Sequence, residues 1–281
     1  MINLQYIAPH DAIIPFVSSF YRFEYQGESI KEPERADRAQ FRELLNGEGH
    51  YQFIDGAGCD MFPVTIMGPT TAPMYTLADG PLTIFGWGMT PVGWSALMGK
   101  AAGAWVDKAF DAHSIFGNAV FDLQQQLIHA ESIDAQFAFG QVAAAEIFAT
   151  SDTAPYEFTS IVDRWLLNDA EHHLDALANA TGLSPRHLER ITKRYYGMPP
   201  KKLARKYRAV RAAHLLAAGD SLDDTELGLS FYDQSHLIRE IKQFTGLTPT
   251  ELKAGISILT EATMRERGKL GDSVSPLISE S

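Results

Sequence analysis

The sequence predicts a two-domain fold: a mostly β N-terminal domain with a helical connector, and an all-α C-terminal domain with two helix-turn-helix units. Three observations predict it. Short β-rich runs divided by Gly/Pro turns fill residues 1–115, apolar residues at helical spacing fill most of 116–168, and one sequence pattern occurs twice in the last third of the chain. A chain of 281 residues is long enough to bury two separate cores.

The N-terminal region contains two clear strand patterns, at residues 62–67 and 83–87. Both are bounded by glycine and proline, so we expect a small β-barrel or sandwich over residues 1–115. Four large apolar side chains in and after the second run are candidates for the wall of an effector pocket: Phe85, Trp87, Met89 and Trp94. An aromatic-rich strand is more often part of a packed core, so packed core is the alternative to an effector pocket, and both interpretations stay open.

The N-terminal region lacks the residue patterns of a catalytic or metal site. Cys59 has no cation near it in sequence to activate the thiol, and Ser95 lacks the G-x-S-x-G spacing of a nucleophile. Four histidines stand far apart and form no His-x-His pair: His10, His50, His113 and His129. We therefore expect no metal, no cofactor and no enzymatic activity.

Helical patterns follow the β-rich region. Those at 115–130 and 134–149 are expected to form a connector over residues 116–153, and the pattern at 156–168 opens the C-terminal domain. The polar end of the chain, residues 257–281, is expected to be a mobile tail.

Charge is distributed unevenly along the chain, whose net charge is −11. Residues 1–159 carry 7 basic and 19 acidic residues, whereas residues 184–211 carry ten basic residues and one acid. This local excess indicates an anion-binding surface, although a charge run alone is more often a solvated helix face.

A sequence repeat favours the anion-binding surface over the solvated helix face. HLERITKRYYGMPPKKL at 187–203 aligns with HLIREIKQFTGLTPTEL at 236–252. An N-cap residue and a helix-ending glycine occur at matching positions: Ser184 with Gly197, and Asp233 with Gly246. Each copy is therefore predicted to be a capped helix.

A shorter helix is predicted before each copy, at 171–182 and 222–230, and one continuous helix between them, at 201–220. In the first unit Gly182 can take the positive φ of a tight turn. Helix, turn and capped second helix make a helix-turn-helix, whose second helix enters the major groove of DNA.

The segments LSPRHLERITKRYYGMPPKKLARKYRAVRAAHLLAAG and SFYDQSHLIREIKQFTGLTP resemble the DNA-binding domain of the AraC/XylS family of bacterial regulators. The resemblance implies a domain over residues 154–256, with units at about 171–196 and 222–245 in successive major grooves of double-stranded DNA. The order of the parts also resembles family members with a cupin-like N-terminal domain that senses a ligand or dimerises.

Arg186 and Arg190 are four residues apart and share one face of the first recognition helix. The resemblance implies that they face base edges, with Gln234, Ser235 and Arg239 in the second unit. Arginine can bond guanine, and glutamine adenine, through two hydrogen bonds. Surface arginines that form ion pairs along the helix are the alternative.

Other residues of the two units are assigned to the DNA backbone or to the core. Eight are expected to contact the DNA backbone: Ser184, His187, Lys193, Arg194, Lys201, Lys202, Arg205 and His236. Such contacts position the protein on DNA but do not distinguish one base sequence from another. Six are expected in the core: Leu188, Ile191, Tyr195, Leu237, Ile241 and Phe244.

The second unit departs from the family pattern at three positions. Glu226 stands where the family has a small residue, Thr225 where it has an apolar one, and Ser230 at the turn glycine. Glu226 must lean into solvent or be desolvated at a cost, and nearby acids oppose phosphate. We therefore expect the first unit to supply most of the affinity for DNA.

The sequence thus predicts a sequence-specific DNA-binding transcription regulator, modulated through its N-terminal domain. Its expected partners are double-stranded DNA, RNA polymerase if it activates, a small-molecule effector and a second copy in a homodimer. The alternatives are a cupin-like enzyme, a DNA-modifying protein that uses the C-terminal unit for targeting, and a protein-interaction module with a degenerate DNA-binding domain. A single cysteine, no secretory signal and no membrane-length apolar run predict a cytoplasmic protein, and the resemblance implies a bacterial one.

Overall fold

The computed structural model describes residues 1–153, 155–168, 173–222 and 225–280, with the backbone alone at Glu226. Strands lie only in the N-terminal part of these ranges and form two antiparallel sheets. Their bounds are β1 Ile2–Ile7, β2 Val17–Tyr25, β3 Ser29–Glu34, β4 Gln40–Asn46, β5 His50–Phe53, β6 Gly58–Asp60, β7 Val64–Met67, β8 Met74–Asp79, β9 Leu82–Met89 and β10 Ala109–Asp111.

The larger sheet has the order β1-β2-β9-β4-β7-β10 and the smaller one β3-β8-β5-β6. Alternate residues of a strand point to opposite faces, so each strand of the larger sheet serves two cores. Tyr21 and Met67 face the smaller sheet, where they meet Tyr51 and Met74. The predicted β-rich barrel or sandwich is therefore confirmed.

Helices cover the outer face of the larger sheet and form the C-terminal domain. Their bounds are α1 Pro91–Met98, α2 His113–Phe116, α3 Ala119–Ile128, α4 Ile133–Phe148, α5 Pro155–Leu167, α6 Leu174–Thr181, α7 Pro185–Tyr196, α8 Pro200–Ala218, α9 Glu226–Leu229, α10 Gln234–Thr245, α11 Pro249–Lys253, α12 Ile258–Gly268 and α13 Pro276–Ser279. In the ranges described, none of these helices has the length and apolar character needed to cross a membrane.

The aromatic residues of β9 are part of the core under the connector helices. Trp87 stacks on Phe41 with ring centroids 4.3 Å apart, and Phe85 meets Phe137 of α4 at 5.6 Å. Phe85 and Trp87 are therefore both covered by neighbouring rings, as residues of a packed core are. Met89 and Trp94 are also buried, and line a cavity of about 20 Å³ between the two domains.

The central helix of the C-terminal domain, α8, is shared by two small cores. Leu203 and Tyr207 belong to the first core, with Leu177 of α6 and Leu188 of α7. Ala212 and Leu216 belong to the second core, with Ile241 of α10 and Leu252 of α11. Both recognition helices therefore pack against the same helix, α8.

The end of the chain is a packed helix, which corrects the expectation of a mobile tail. Leu259 and Ala262 of α12 are buried in the core between the two sheets. At the beginning of the helix, Ser257 donates a hydrogen bond to Glu32 of β3 at 2.6 Å. The chain thus returns from the C-terminal domain to the open end of the β domain.

Candidate nucleic-acid interface

The first helix-turn-helix unit has the backbone geometry that its sequence predicts. Gly182, between α6 and α7, has a φ of 66°. The Ser184 hydroxyl accepts a hydrogen bond from the His187 N–H at 3.4 Å, and Gly197 ends α7 with a φ of 81°. Leu177 and Leu188 are fully buried between the helices, so α7 is held firmly against α6.

The second unit keeps its recognition helix. The Asp233 carboxylate caps α10 by accepting from the His236 N–H at 2.7 Å, and Gly246 ends the helix with a φ of 80°. Of the preceding helix, predicted at 222–230, the described residues form the four-residue helix α9, and residues 223 and 224 lie outside the described ranges. The Thr225 hydroxyl accepts from the Gly228 N–H at 2.9 Å and so caps this single turn.

The three departures from the family pattern thus have different outcomes. Thr225 serves as a helix cap. The turn contains no left-handed residue at Ser230, because Asp107 is the one non-glycine residue with positive φ in the ranges described. Nothing can be assigned to the side chain of Glu226, which lies outside the described part of the structure, as do Asp223 and Asp224.

The side chains expected to face bases are all exposed. Arg186 and Arg190 stand on the outer surface of α7, and Gln234, Ser235 and Arg239 on that of α10. An Arg190 guanidinium nitrogen lies 2.9 Å from His187 Nε2, which orients it along the helix. The two faces can therefore reach another molecule without rearrangement of either core.

The residues expected to contact the DNA backbone divide into three groups. Ser184, Lys193, Arg194 and Lys201 are exposed, and His187, Lys202 and His236 are half-buried. Arg205 is exposed but already paired, because its guanidinium donates to both carboxylate oxygens of Glu240, with a shortest distance of 2.6 Å. Arg205 therefore holds α8 to α10, which is a structural use of its charge.

The predicted core of the two units is close to what the structure contains. Leu188, Ile241 and Phe244 are fully buried. Three are only half-buried: Ile191, Tyr195 and Leu237. Thr192 and Tyr196, which were not predicted, are buried on the inner face of α7 instead.

The second half of the basic segment faces the protein. Arg208 donates to the Ser230 carbonyl at 3.1 Å, and Arg211 reaches Glu280 at 3.1 Å. Lys206 is buried and donates to the backbone carbonyls of Asp37 at 2.6 Å and Thr70 at 3.1 Å. Exposed positive charge is therefore concentrated between Arg186 and Lys202.

Sequence reasoning missed a charged cluster where α8 and α12 meet the β domain. Arg267 donates to the Asp37 carboxylate at 2.6 Å, and Arg35 lies 3.5 Å from it. Burial alone would raise the pKa of Asp37, but Arg267 and Arg35 outweigh it and hold that pKa well below its usual range. Burial, aided by Arg35 and Arg38 against Asp37, lowers the pKa of Lys206 to about 7.

A cavity of about 50 Å³ opens beside this cluster, between the two sheets and under α12. Arg42 holds Glu34 through hydrogen bonds of 3.1 Å and 2.5 Å, and Tyr21 donates to Gln40 at 2.7 Å. The charged residues that line the cavity are three arginines and two carboxylates: Arg35, Arg42, Arg267, Glu34 and Asp37. The charged residues within 32–42 were a sequence signal for this site, but Arg267 joins them only when the chain folds, so the sequence alone does not bring them together.

Two capped recognition helices on one central helix define a helix-turn-helix protein. In agreement, residues 177–255 match the family model described as "Helix-turn-helix domain". The chain is 35% identical over 82 residues to the Bifunctional transcriptional activator/DNA repair enzyme Ada of Escherichia coli (strain K12), and 34% identical over 79 residues to the Regulatory protein ada of Salmonella typhimurium.

Those matches cover 29% and 28% of this chain but only 23% and 22% of the two relatives, so the chain spans less than a quarter of their length. A solved structure of apo ToxT from Vibrio cholerae aligns over 84% of this chain and 97% of that chain, with a TM-score of 0.48 and 11% identity. Residues 177–255 of this chain are therefore assigned to a helix-turn-helix domain.

Proposed function

We propose that the protein is a transcription regulator that binds double-stranded DNA at specific sequences and reads the major groove mainly through α7. The observation that carries the proposal is the exposed basic face of α7, where Arg186 and Arg190 stand outside a well-packed unit in an otherwise acidic chain. An exposed arginine can bond guanine O6 and N7 together, and each such contact discriminates by about 1–3 kcal/mol.

Gln234, Ser235 and Arg239 of α10 supply a second, weaker set of base contacts. Asp220 and Asp233 are exposed beside them and repel phosphate. Lys193, Arg194, Lys201 and Lys202, with Ser184, His187 and His236, contact the DNA backbone. We assign Arg205 to holding α8 against Glu240 rather than to DNA, because its Nε and one of its Nη atoms already donate to that carboxylate.

The N-terminal domain regulates this activity. The cavity beneath α12 has one more arginine than carboxylates, which favours a small anionic effector. A volume of about 50 Å³ holds only a few non-hydrogen atoms, so a larger effector requires α12 to move. Such an effector shifts the conformational equilibrium only if it binds the two positions of α12 with different affinities.

Self-association uses the outer face of α4. Phe139, Val142 and Ile147 are exposed apolar side chains on this helix, whose other face packs on the larger sheet. Burying that face against a second copy would remove apolar surface from water and bring four helix-turn-helix units together.

Selection from a random duplex library tests the function. The full chain is immobilised, bound duplexes are recovered over several rounds, and the enriched sequences are read. We expect one enriched sequence whose affinity falls steeply as salt rises, because phosphate contacts release counterions. Absence of any enriched sequence contradicts the proposal and favours a protein-interaction module.

A further inference from the structure

Both recognition helices end against the same loop of the N-terminal domain. This bridging loop, residues 68–73, joins β7 to β8. A Cβ atom at Gly197, the residue that ends α7, would lie 2.6 Å from Val106 Cγ2 and 3.0 Å from Pro69 Cγ. A Cβ atom at Gly246, the residue that ends α10, would lie 3.3 Å from Pro73 Cβ. Two prolines of one loop thus contact the C-terminal ends of both helices.

The central helix is tied to the same loop. Lys206 of α8 donates to the Thr70 carbonyl, and also to the carbonyl of Asp37. Thr70 is itself fixed, since its hydroxyl accepts from the Asp37 N–H at 2.7 Å. Asp107 accepts from the Thr71 N–H at 2.7 Å and its hydroxyl at 2.6 Å. The bridging loop is therefore held in one conformation while it contacts three helices.

The N-terminal domain also supports α10 where the second unit itself is thin. The Ala36 N–H donates to the Phe244 carbonyl at 2.7 Å, in the last turn of α10. Ala36 and Phe244 are fully buried with Ala209 and Val210 of α8. Because α9 is a single turn, α10 depends on α8, α11 and the β domain for its position.

We propose that the bridging loop sets the position of α10 relative to α7, so that the N-terminal domain is part of the DNA-reading unit. Pro69, Thr70 and Pro73 are then positioning residues. The ligand is a duplex with two half-sites at one fixed separation, and the loop determines that separation. The part of this inference that concerns the spacing of half-sites rests on the proposed function. The part that concerns the position of α10 relative to α7 is independent of it.

A distance measurement tests the geometric component without DNA. Spin labels are placed at Glu189→Cys on α7 and Lys242→Cys on α10, both exposed, in a Cys59→Ala background. We expect one narrow distance distribution, which broadens in the variant Pro69→Gly/Pro73→Gly. Pro81→Gly, in the exposed turn between β8 and β9, is the matched control and should leave the distribution narrow. An unchanged narrow distribution in the loop variant overturns the inference.

A second pair of variants covers the case in which the loop variant fails to fold. Gly246→Ala and Gly219→Ala both place alanine at a left-handed helix end, so both carry similar backbone strain. Gly219 has open space around the added atom, whereas Gly246 faces Pro73 and Pro33. Only Gly246→Ala should shift the distance between the labels; equal distances in the two variants overturn the inference.

Duplexes with altered spacing test the DNA component. Two base pairs are inserted between, or removed from between, the half-sites of the selected duplex. We expect the wild-type chain to lose at least about tenfold in affinity, and Pro69→Gly/Pro73→Gly to lose less than about threefold, with unchanged melting temperature. If no duplex binds, the proposed function fails while the distance result stands. If both chains show the same spacing dependence, the positioning role fails while the function stands.

Discussion

Two buried carboxyl groups, those of Glu240 and Glu43, and the half-buried one of Asp37 differ in what surrounds them. Glu240 accepts from Arg205 and lies near Arg208, and Asp37 accepts from Arg267. Glu43, in the middle of β4, is fully buried on the same side of the strand as Phe41, and neither of its oxygens has a hydrogen-bond partner among the residues that the structure describes. Burial raises the pKa of Glu43 well above its ordinary value, which favours the protonated form in the folded chain.

Replacing Glu43 should change how stability depends on pH. The unfolded chain releases this proton above its ordinary pKa while the folded chain keeps it, so wild-type stability is full below that pKa and falls as pH rises. Glu43→Gln removes this loss. The free energy of unfolding of the variant relative to wild type, measured by urea titration, should rise as the pH increases above the ordinary pKa of a glutamate. A difference that does not vary with pH would show that Glu43 ionises in the folded state.

Glu240 should be needed for the stability of the second unit. Glu240→Ala leaves Arg205 and Arg208 without their shared carboxylate. Since Arg205 is 44% exposed, water offsets part of the loss, and we expect a decrease of about 1–3 kcal/mol in the free energy of unfolding. Glu189→Ala, at an exposed acid on α7, is the control and should change little. Equal effects of the two variants would show that the Glu240 pairs contribute nothing.

Arginines of one basic segment thus serve different purposes, and the sequence distinguishes them only in part. The positions of Arg186 and Arg190 near a helix N-terminus are local information, and the structure leaves both exposed. The pairing of Arg205 with Glu240 joins residues 35 positions apart, so it appears only when α8 and α10 are packed.

Helix ends were predictable where side chains or glycines fix them locally. α7 and α10 begin after Ser184 and Asp233 and end at Gly197 and Gly246, as predicted. α12 was not predicted, because few of its residues are apolar and their burial depends on the remote strands β1 and β3. The recognition helices α7 and α10 could therefore be predicted from local residues, whereas the helix α12 forms because of contacts with strands remote in sequence.

Leu259 tests whether α12 is a fixed part of the fold. It is 7% exposed in the core between the sheets, and its neighbour Ile258 is 59% exposed. Leu259→Ala should lower the free energy of unfolding by about 2–5 kcal/mol, as truncation of a buried leucine does, and Ile258→Ala by less than about 0.5 kcal/mol. Chemical denaturation measures both. A cost near zero for Leu259→Ala would restore the mobile tail.

The outer face of α4 should govern self-association. Val142 is 57% exposed on this face. Val142→Glu places a charge in the proposed contact and should raise the dimer dissociation constant at least about tenfold in sedimentation experiments. Gln126→Glu adds the same charge on the exposed side of α3 and should leave it unchanged. A wild-type chain that stays monomeric, or equal effects of both variants, would exclude this face.

At the scale of the whole molecule, an acidic domain is joined to a nearly neutral one whose basic residues are concentrated in segment 184–211. The N-terminal domain contacts α8, the ends of both recognition helices and, through β1 and β3, α12. The exposed positive charge of α7 runs along the whole helix, from Arg186 in its first turn to Lys193 and Arg194 in its last turn. Repulsion between phosphate and the acidic domain therefore favours approach of DNA along the α7 face.

The affinity of the selected duplex for three variants tests the central claim most directly. Arg186→Ala/Arg190→Ala should weaken binding at least about 30-fold, the effect of losing two base contacts at the low end of their range. Arg239→Ala should weaken it less, and Arg265→Ala, at an exposed arginine of α12, should leave it unchanged. Wild-type affinity in the double variant, or a loss as large in Arg239→Ala, would contradict the assignment of DNA reading to α7.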